Sequence, residues 1–229
     1  MKFNSNTIKT TLLPILSLCL LFVITSCSDD ESRTGVLLSA NTTGGDVTTK
    51  NGRTAATNDL VFNSGSITIR EVVFDGENGN TSVTRTVPQV ASIDYTTGTV
   101  SPEVFIEIPA GEYTSVNLGI ELQDVNAIPA MVIDGTYTNS DDEIIPIRFE
   151  FNSGEVFEAN AASVTIPAGT DVIGKITFDA LEWFSPITAT QLDNATQTDG
   201  VIVISENSNS GIFDIVAERV DVATQAVFE

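Results

Sequence analysis

Apolar residues fall at every second position in several separate runs of this chain, and that spacing admits few folds. Val104, Ile106 and Ile108 alternate up to Pro109-Ala110-Gly111, and Val116, Leu118, Ile120 and Leu122 alternate after it. A period of two puts one set of side chains on one face of a strand, so both runs predict half-buried β-strands. Ile67, Ile69 and Val73 share one parity of a run that ends at Asp75, where Gly76-Glu77-Asn78-Gly79-Asn80 predicts a turn into Thr81 to Val87. Asn78-Gly79 is a hairpin signal. Met131 to Tyr137 and Ile144 to Phe151 flank Asn139-Ser140-Asp141-Asp142, predicting a second hairpin in which Ile145, Ile147, Phe149 and Phe151 face one way.

The end of the chain departs from this pattern. Val201 to Ile204 reads as a short buried strand, and Ser208 or Asn209 can cap a helix near residues 210 to 221 with Ile212, Ile215, Val216 and Val220 on one face. Strand runs separated by turns, followed by one helix, predict an all-β, mainly antiparallel sandwich with a single short C-terminal helix. A hinge between two sheets near residues 123 to 130 is left open.

One turn is used twice. Ile108-Pro109-Ala110-Gly111 and Ile166-Pro167-Ala168-Gly169 each end a strand-like run. Proline cannot donate to a strand ladder and glycine tolerates positive φ, so each predicts a sheet corner. The sequence around them diverges, which speaks for a reused turn and not a duplicated module.

The first 26 residues carry Lys2 and Lys9, an apolar run from Leu12 to Ile24 interrupted by Pro14, and small residues before Cys27. A bilayer span needs about 20 apolar residues, so the run is too short to cross and reads as a signal h-region. Ile24-Thr25-Ser26-Cys27 resembles a lipobox, in which the cysteine sulfur receives a diacylglycerol and becomes the mature N-terminus; a plain secretory signal is the alternative. Ser28-Asp29-Asp30-Glu31 resembles the surface-export signal of Bacteroidota lipoproteins, which implies an outer-membrane, cell-surface location; a merely solvated linker is the alternative. Two or three acyl chains on one residue hold far more firmly than one.

Between the leader and the strands, residues 39–58 contain 13 Ser, Thr, Asn or Gly. Gly35-Val36-Leu37-Leu38 predicts a short first strand before this segment, with the main domain over residues 59–229. Alternatively, residues 27–58 form a lipidated flexible linker that lifts the domain off the membrane.

Charge and composition then narrow the chemistry. Residues 1–26 hold two lysines and no acid, so the mature chain carries 8 basic and 31 acidic residues, a formal charge of −23. That field repels phosphate backbones and offers no basic patch, which argues against nucleic acid as a partner. Cys19 and Cys27 are the only cysteines, so the mature domain has no disulfide and folds on its core alone. A domain of about 200 residues buries enough of its surface to do so. Histidine is absent, which excludes His-dependent triads, His-ligated metals and imidazole catalysis.

Few residues remain as site candidates. Asp75, Glu77 and Asn80 gather oxygens in a glycine-containing turn, the way calcium loops begin, although the spacing misses the EF-hand pattern; a plain hairpin turn is the alternative. Asp141, Asp142 and Glu143 form a second oxygen group that reads equally as a solvated turn. Trp183, the one tryptophan, could stack on a sugar or pack beside Leu181 and Phe184 in a core. Tyr95, Tyr113 and Tyr137 are the other aromatic candidates with a polar tip. Paired carboxylates could hydrolyse glycosides without histidine, yet no pairing is legible, and the expectation is a protein that is not an enzyme.

Ile108-Pro109-Ala110-Gly111-Glu112-Tyr113-Thr114, with Val116 and Leu118 after it, resembles a recurring element of uncharacterised β-sandwich lipoprotein domains in Bacteroidota. That resemblance implies an immunoglobulin-like or transthyretin-like sandwich and carries no activity or site residue. The expected function is extracellular glycan or protein binding at the cell surface. A subunit of a fimbrial or envelope assembly and a calcium-stabilised surface module are the alternatives.

Overall fold

A computed structural model describes residues 33–42, 60–220 and 225–229; the leader, Cys27 and residues 43–59 lie outside these residues. The described residues belong to one compact unit, Ser32–Glu229. In chain order its elements are β1 (Gly35–Thr42), β2 (Leu60–Asn78), β3 (Thr81–Asp94), β4 (Val100–Ser101), β5 (Phe105–Glu107), β6 (Gly111–Leu122), β7 (Met131–Thr138), β8 (Ile144–Phe151), β9 (Val156–Ile166) and β10 (Asp171–Phe178). Then follow α1 (Ala180–Trp183), α2 (Ala189–Asp193), β11 (Gln197–Thr198), β12 (Val201–Ile204), α3 (Ser210–Val220) and β13 (Gln225–Phe228).

The smaller sheet runs β13-β10-β1-β5, and the larger runs β11-β12-β8-β7-β2-β3-β4, with β6 and β9 joined to it through β2. Pairing is antiparallel except between β1 and β10 and between β12 and β8. The protein is therefore mostly β and sandwich-like, as its alternation predicts. Its C-terminal helix occupies Ser210–Val220, with Ile212, Val216 and Val220 buried.

β2 organises the larger sheet. One edge pairs with β3; the other pairs first with β7 through Ile67 and then with β6 from Ile69 onward. A register shift between Ile69 and Glu71 separates the two partners. An inserted residue flips every later side chain to the opposite face. Ile67 and Ile69 are therefore buried together with Val72 and Phe74, and Val73 points outward. The placement of Val73 with Ile67 and Ile69, expected from parity, is corrected by this bulge at Arg70. β6 flips in the same way between Tyr113 and Val116, around Ser115 at φ +50°.

Gly35–Thr42 is a strand of the sandwich, twice the length of the four residues that stand out in sequence. Val36, Leu38 and Ala40 are buried between the sheets. β1 lies in the interior of the smaller sheet, bonded to β10 over its whole length and to β5 at its start. Sheet pairing thus begins at Gly35, well before residue 59.

β1 and β10 run the same way, which gives the sandwich two distinct ends. One end carries residues 33–35, the β2–β3 turn and both Ile-Pro-Ala-Gly corners. The other carries the three helices and the β7–β8 turn. Under the helices Phe149 packs with Phe151, Trp183, Phe184 and Phe213, with ring centroids 5.6 to 6.4 Å apart. Arg219 of α3 donates to Glu182 of α1 at 2.9 Å and ties the caps together.

Candidate functional site

The acidic turn proposed for calcium does not assemble as a loop. β2 continues as strand through Asp75 and Glu77 to Asn78, and only Gly79 and Asn80 turn the chain, because Asn78 pairs with Thr81. Gly79 has φ +61°, the positive value that the first central position of such a two-residue turn takes. Asp75 is half-buried while Glu77 and Asn80 are exposed, and no group of three or more carboxylates, cysteines or histidines suited to a metal occurs among the described residues. At the second oxygen group the Asn139 side chain accepts from the backbone N–H of Asp141 (3.0 Å) and Glu143 (2.8 Å). This is a self-satisfied turn, with Asp142 in the left-handed region at φ +62°.

Trp183 is fully buried, so it offers no face to a sugar, and the stacking role expected as one of its two readings is corrected. Sequence reasoning missed the four-residue helix α1 that carries it inward, although Asp179 at its start, whose side chain accepts from Glu182 N–H at 3.0 Å, is a legible cap. The tyrosines are buried too. Tyr113 Oη donates to the Pro109 carbonyl (2.8 Å), bracing the first Ile-Pro-Ala-Gly corner, and Tyr95 Oη accepts from Ala180 N–H (3.2 Å). Tyr137 Oη donates to Asp193 Oδ1 (2.7 Å) and so joins β7 to α2.

Among the described residues two carboxyls are displaced, and both downward. Hydrogen bonds from Thr97 and Thr96, the largest from Thr97 N–H, hold Asp94 below the usual carboxylate range. The Tyr137 hydroxyl, followed by Ser140, does the same for Asp193. A general acid for glycoside cleavage needs the opposite displacement.

A groove of about 690 Å³ lies between β3 and β5, lined by Thr34, Arg85, Thr86, Val87, Glu107 and Pro109 among others. Arg85 and Glu107 give it one charge of each sign, and no exposed aromatic ring lines it.

The sheet edges are more informative. On β3 the two-residue turn fixes which backbone groups face away from β2, namely those of Ser82, Thr84, Thr86 and Pro88. This edge is blunted: Arg85 donates to the Thr84 carbonyl (2.9 Å), and Pro88 has no N–H to offer. β9 has neither device. Its 11 residues contain no proline and one charge, Glu158, and β6 is its only backbone partner among the described residues. Leu122 N–H donates to the Glu155 carbonyl (3.0 Å), so the alternation turns Phe157, Ala159 and Ala161 toward β6, up to the point opposite Ser115 where Ala162 and Ser163 are both exposed and the buried set shifts to Val164 and Ile166. The backbone groups of Glu158 and Asn160 therefore point outward. β13 of the smaller sheet comes alongside without pairing to it. An edge that is long and nearly uncharged, on a chain this acidic, is the feature best suited to meet another polypeptide.

The second region of interest is the corner end. Thr34 sits between the two repeated turns: its carbonyl accepts from Ile108 N–H (3.2 Å) and its hydroxyl from Gly169 N–H (2.7 Å). Gly111 and Ile166 pair with each other, so the two corners are also adjacent. Arg33 lies beside them, paired with Asp171 (2.8 Å) and Glu103 and stacked 4.4 Å above the Phe105 ring. No protein-family model, no curated protein and no solved structure matches the chain.

Proposed function

We propose that this chain is a non-enzymatic outer-membrane lipoprotein, anchored through Cys27 and exposed at the cell surface, whose sandwich binds another protein by backbone pairing along β9. The lipobox-like residues before Cys27 and the acidic residues after it support the address. The outward backbone groups of β9 are the observation that carries the activity. Burial of Trp183 and the three tyrosines removes the aromatic platforms on which a glycan reading rested.

Asn160→Pro tests this directly, because it deletes an outward N–H and leaves the ladder to β6 intact. Cross-linking on intact cells is expected to yield a heterologous protein adduct with the wild-type chain and to lose it with Asn160→Pro, while the buried Trp183 emission stays native. An adduct undiminished in a folded Asn160→Pro protein refutes pairing along β9. An adduct made only of copies of this chain would instead favour the second reading, a subunit of a fimbrial or envelope assembly, since an edge this free of charge also suits self-association.

A further inference from the structure

We infer that in the anchored protein the end bearing the two Ile-Pro-Ala-Gly corners faces the lipid surface and the helix-capped end faces away; this rests on the lipid anchor at Cys27 proposed above. Six peptide units separate Cys27 from Arg33, which spans at most about 20 Å of fully extended chain. Arg33 is not free to move along the domain, because it is held by Asp171, Glu103 and the face of Phe105. Thr34 is held in turn by both corners. The tether therefore meets the sandwich at one fixed place, beside the corners.

From that place β1 and β10 run side by side away from the corners, and α1 begins just beyond the end of β10. Eight strand residues rise about 27 Å, so the helical caps stand farther from the anchor than the tether is long. The second corner, Thr165 to Thr170, carries no charged residue, and Pro109, Ala110, Pro167 and Ala168 are exposed, uncharged turn tips.

The full-length chain provides its own test, since a lipidated Cys27 leaves the mature protein without a free thiol. Single cysteines are placed by Ala168→Cys at the second corner and by Ser185→Cys between α1 and α2, both exposed positions. Each is labelled with a bulky polyethylene-glycol maleimide on outer-membrane vesicles, and again in a soluble chain that also carries Cys27→Ala. Labelling of Ala168→Cys is expected to slow about tenfold on vesicles, where the headgroup surface obstructs the reagent, with Ser185→Cys unaffected. Equal slowing at both positions, or slowing at Ser185→Cys alone, overturns the orientation while leaving the anchor standing. Mass spectrometry showing an unmodified Cys27 overturns the anchor itself, and the orientation with it.

Discussion

Truncation of Leu38 measures how much the sandwich depends on its first strand. Leu38 is 4 % exposed and faces the larger sheet, between Val36 and Ala40. Its register partner on β10 is Gly174, which has no side chain to swing into a void. The space over Gly174 is already taken, since a Cβ there would come within 2.7 Å of Val36 and 3.0 Å of Leu118. Collapse around the truncated side chain is therefore restricted. Buried Leu→Ala changes cost about 3–5 kcal/mol, and the lack of relaxation places this one near 4 kcal/mol. For a domain of this size that lowers Tm by about 8–16 °C. Trp183 is the only tryptophan and is buried, so its emission reports unfolding in urea without interference. Leu37→Ala, on the outward face of the same strand, is the control and should cost about 1 kcal/mol or less. If Leu38→Ala proves no more destabilising than Leu37→Ala, β1 contributes nothing to the fold and the residues before 59 are a spacer.

Gly98→Ala should destabilise by about 1–3 kcal/mol, because Gly98 has φ +71° and a Cβ there would lie 2.2 Å from the Ala40 carbonyl oxygen. Gly79→Ala, at φ +61° with nothing within 4 Å, should cost clearly less, and equal losses in urea melts would show that the contact with Ala40 is immaterial. Asp94 and Asp193 have folded-state values below their ordinary 3.8, so they add stability above that pH and lose it as pH falls through their depressed values. Asp94→Asn combined with Asp193→Asn should therefore flatten the acid limb of the stability curve below about pH 4, and an unchanged limb would refute it. Millimolar calcium should leave Tm unmoved, and a rise would point to a cation site that Asp75, Glu77 and Asn80 do not build by themselves.

The strands were legible where one face is buried throughout. Ile145, Ile147, Phe149 and Phe151 align as their alternation predicts, and the helix at Ser210–Val220 follows from its apolar spacing. Parity failed at Arg70, because a bulge is imposed by the partner strands and leaves no compositional mark. Val72-Val73-Phe74 is apolar on both faces, so nothing local told which residues turn inward. The two short helices around Trp183 were missed because four or five residues are too few to show a helical period. The repeated Ile-Pro-Ala-Gly turns were visible as corners, but their meeting around Thr34 is a product of topology. The β9 edge was hidden for the same reason: Val156–Ile166 reads as any half-buried strand until its pairing among the described residues is known.

The parallel register of β1 against β10 has a mechanical consequence. A pull on the chain ahead of Arg33 acts along the length of β1, whose eight residues are bonded sideways to β10. Such a load shears many hydrogen bonds at once instead of peeling them one by one, and the Arg33 ion pairs take the first strain. A surface protein held from this point and gripped by its partner elsewhere would yield late and all together.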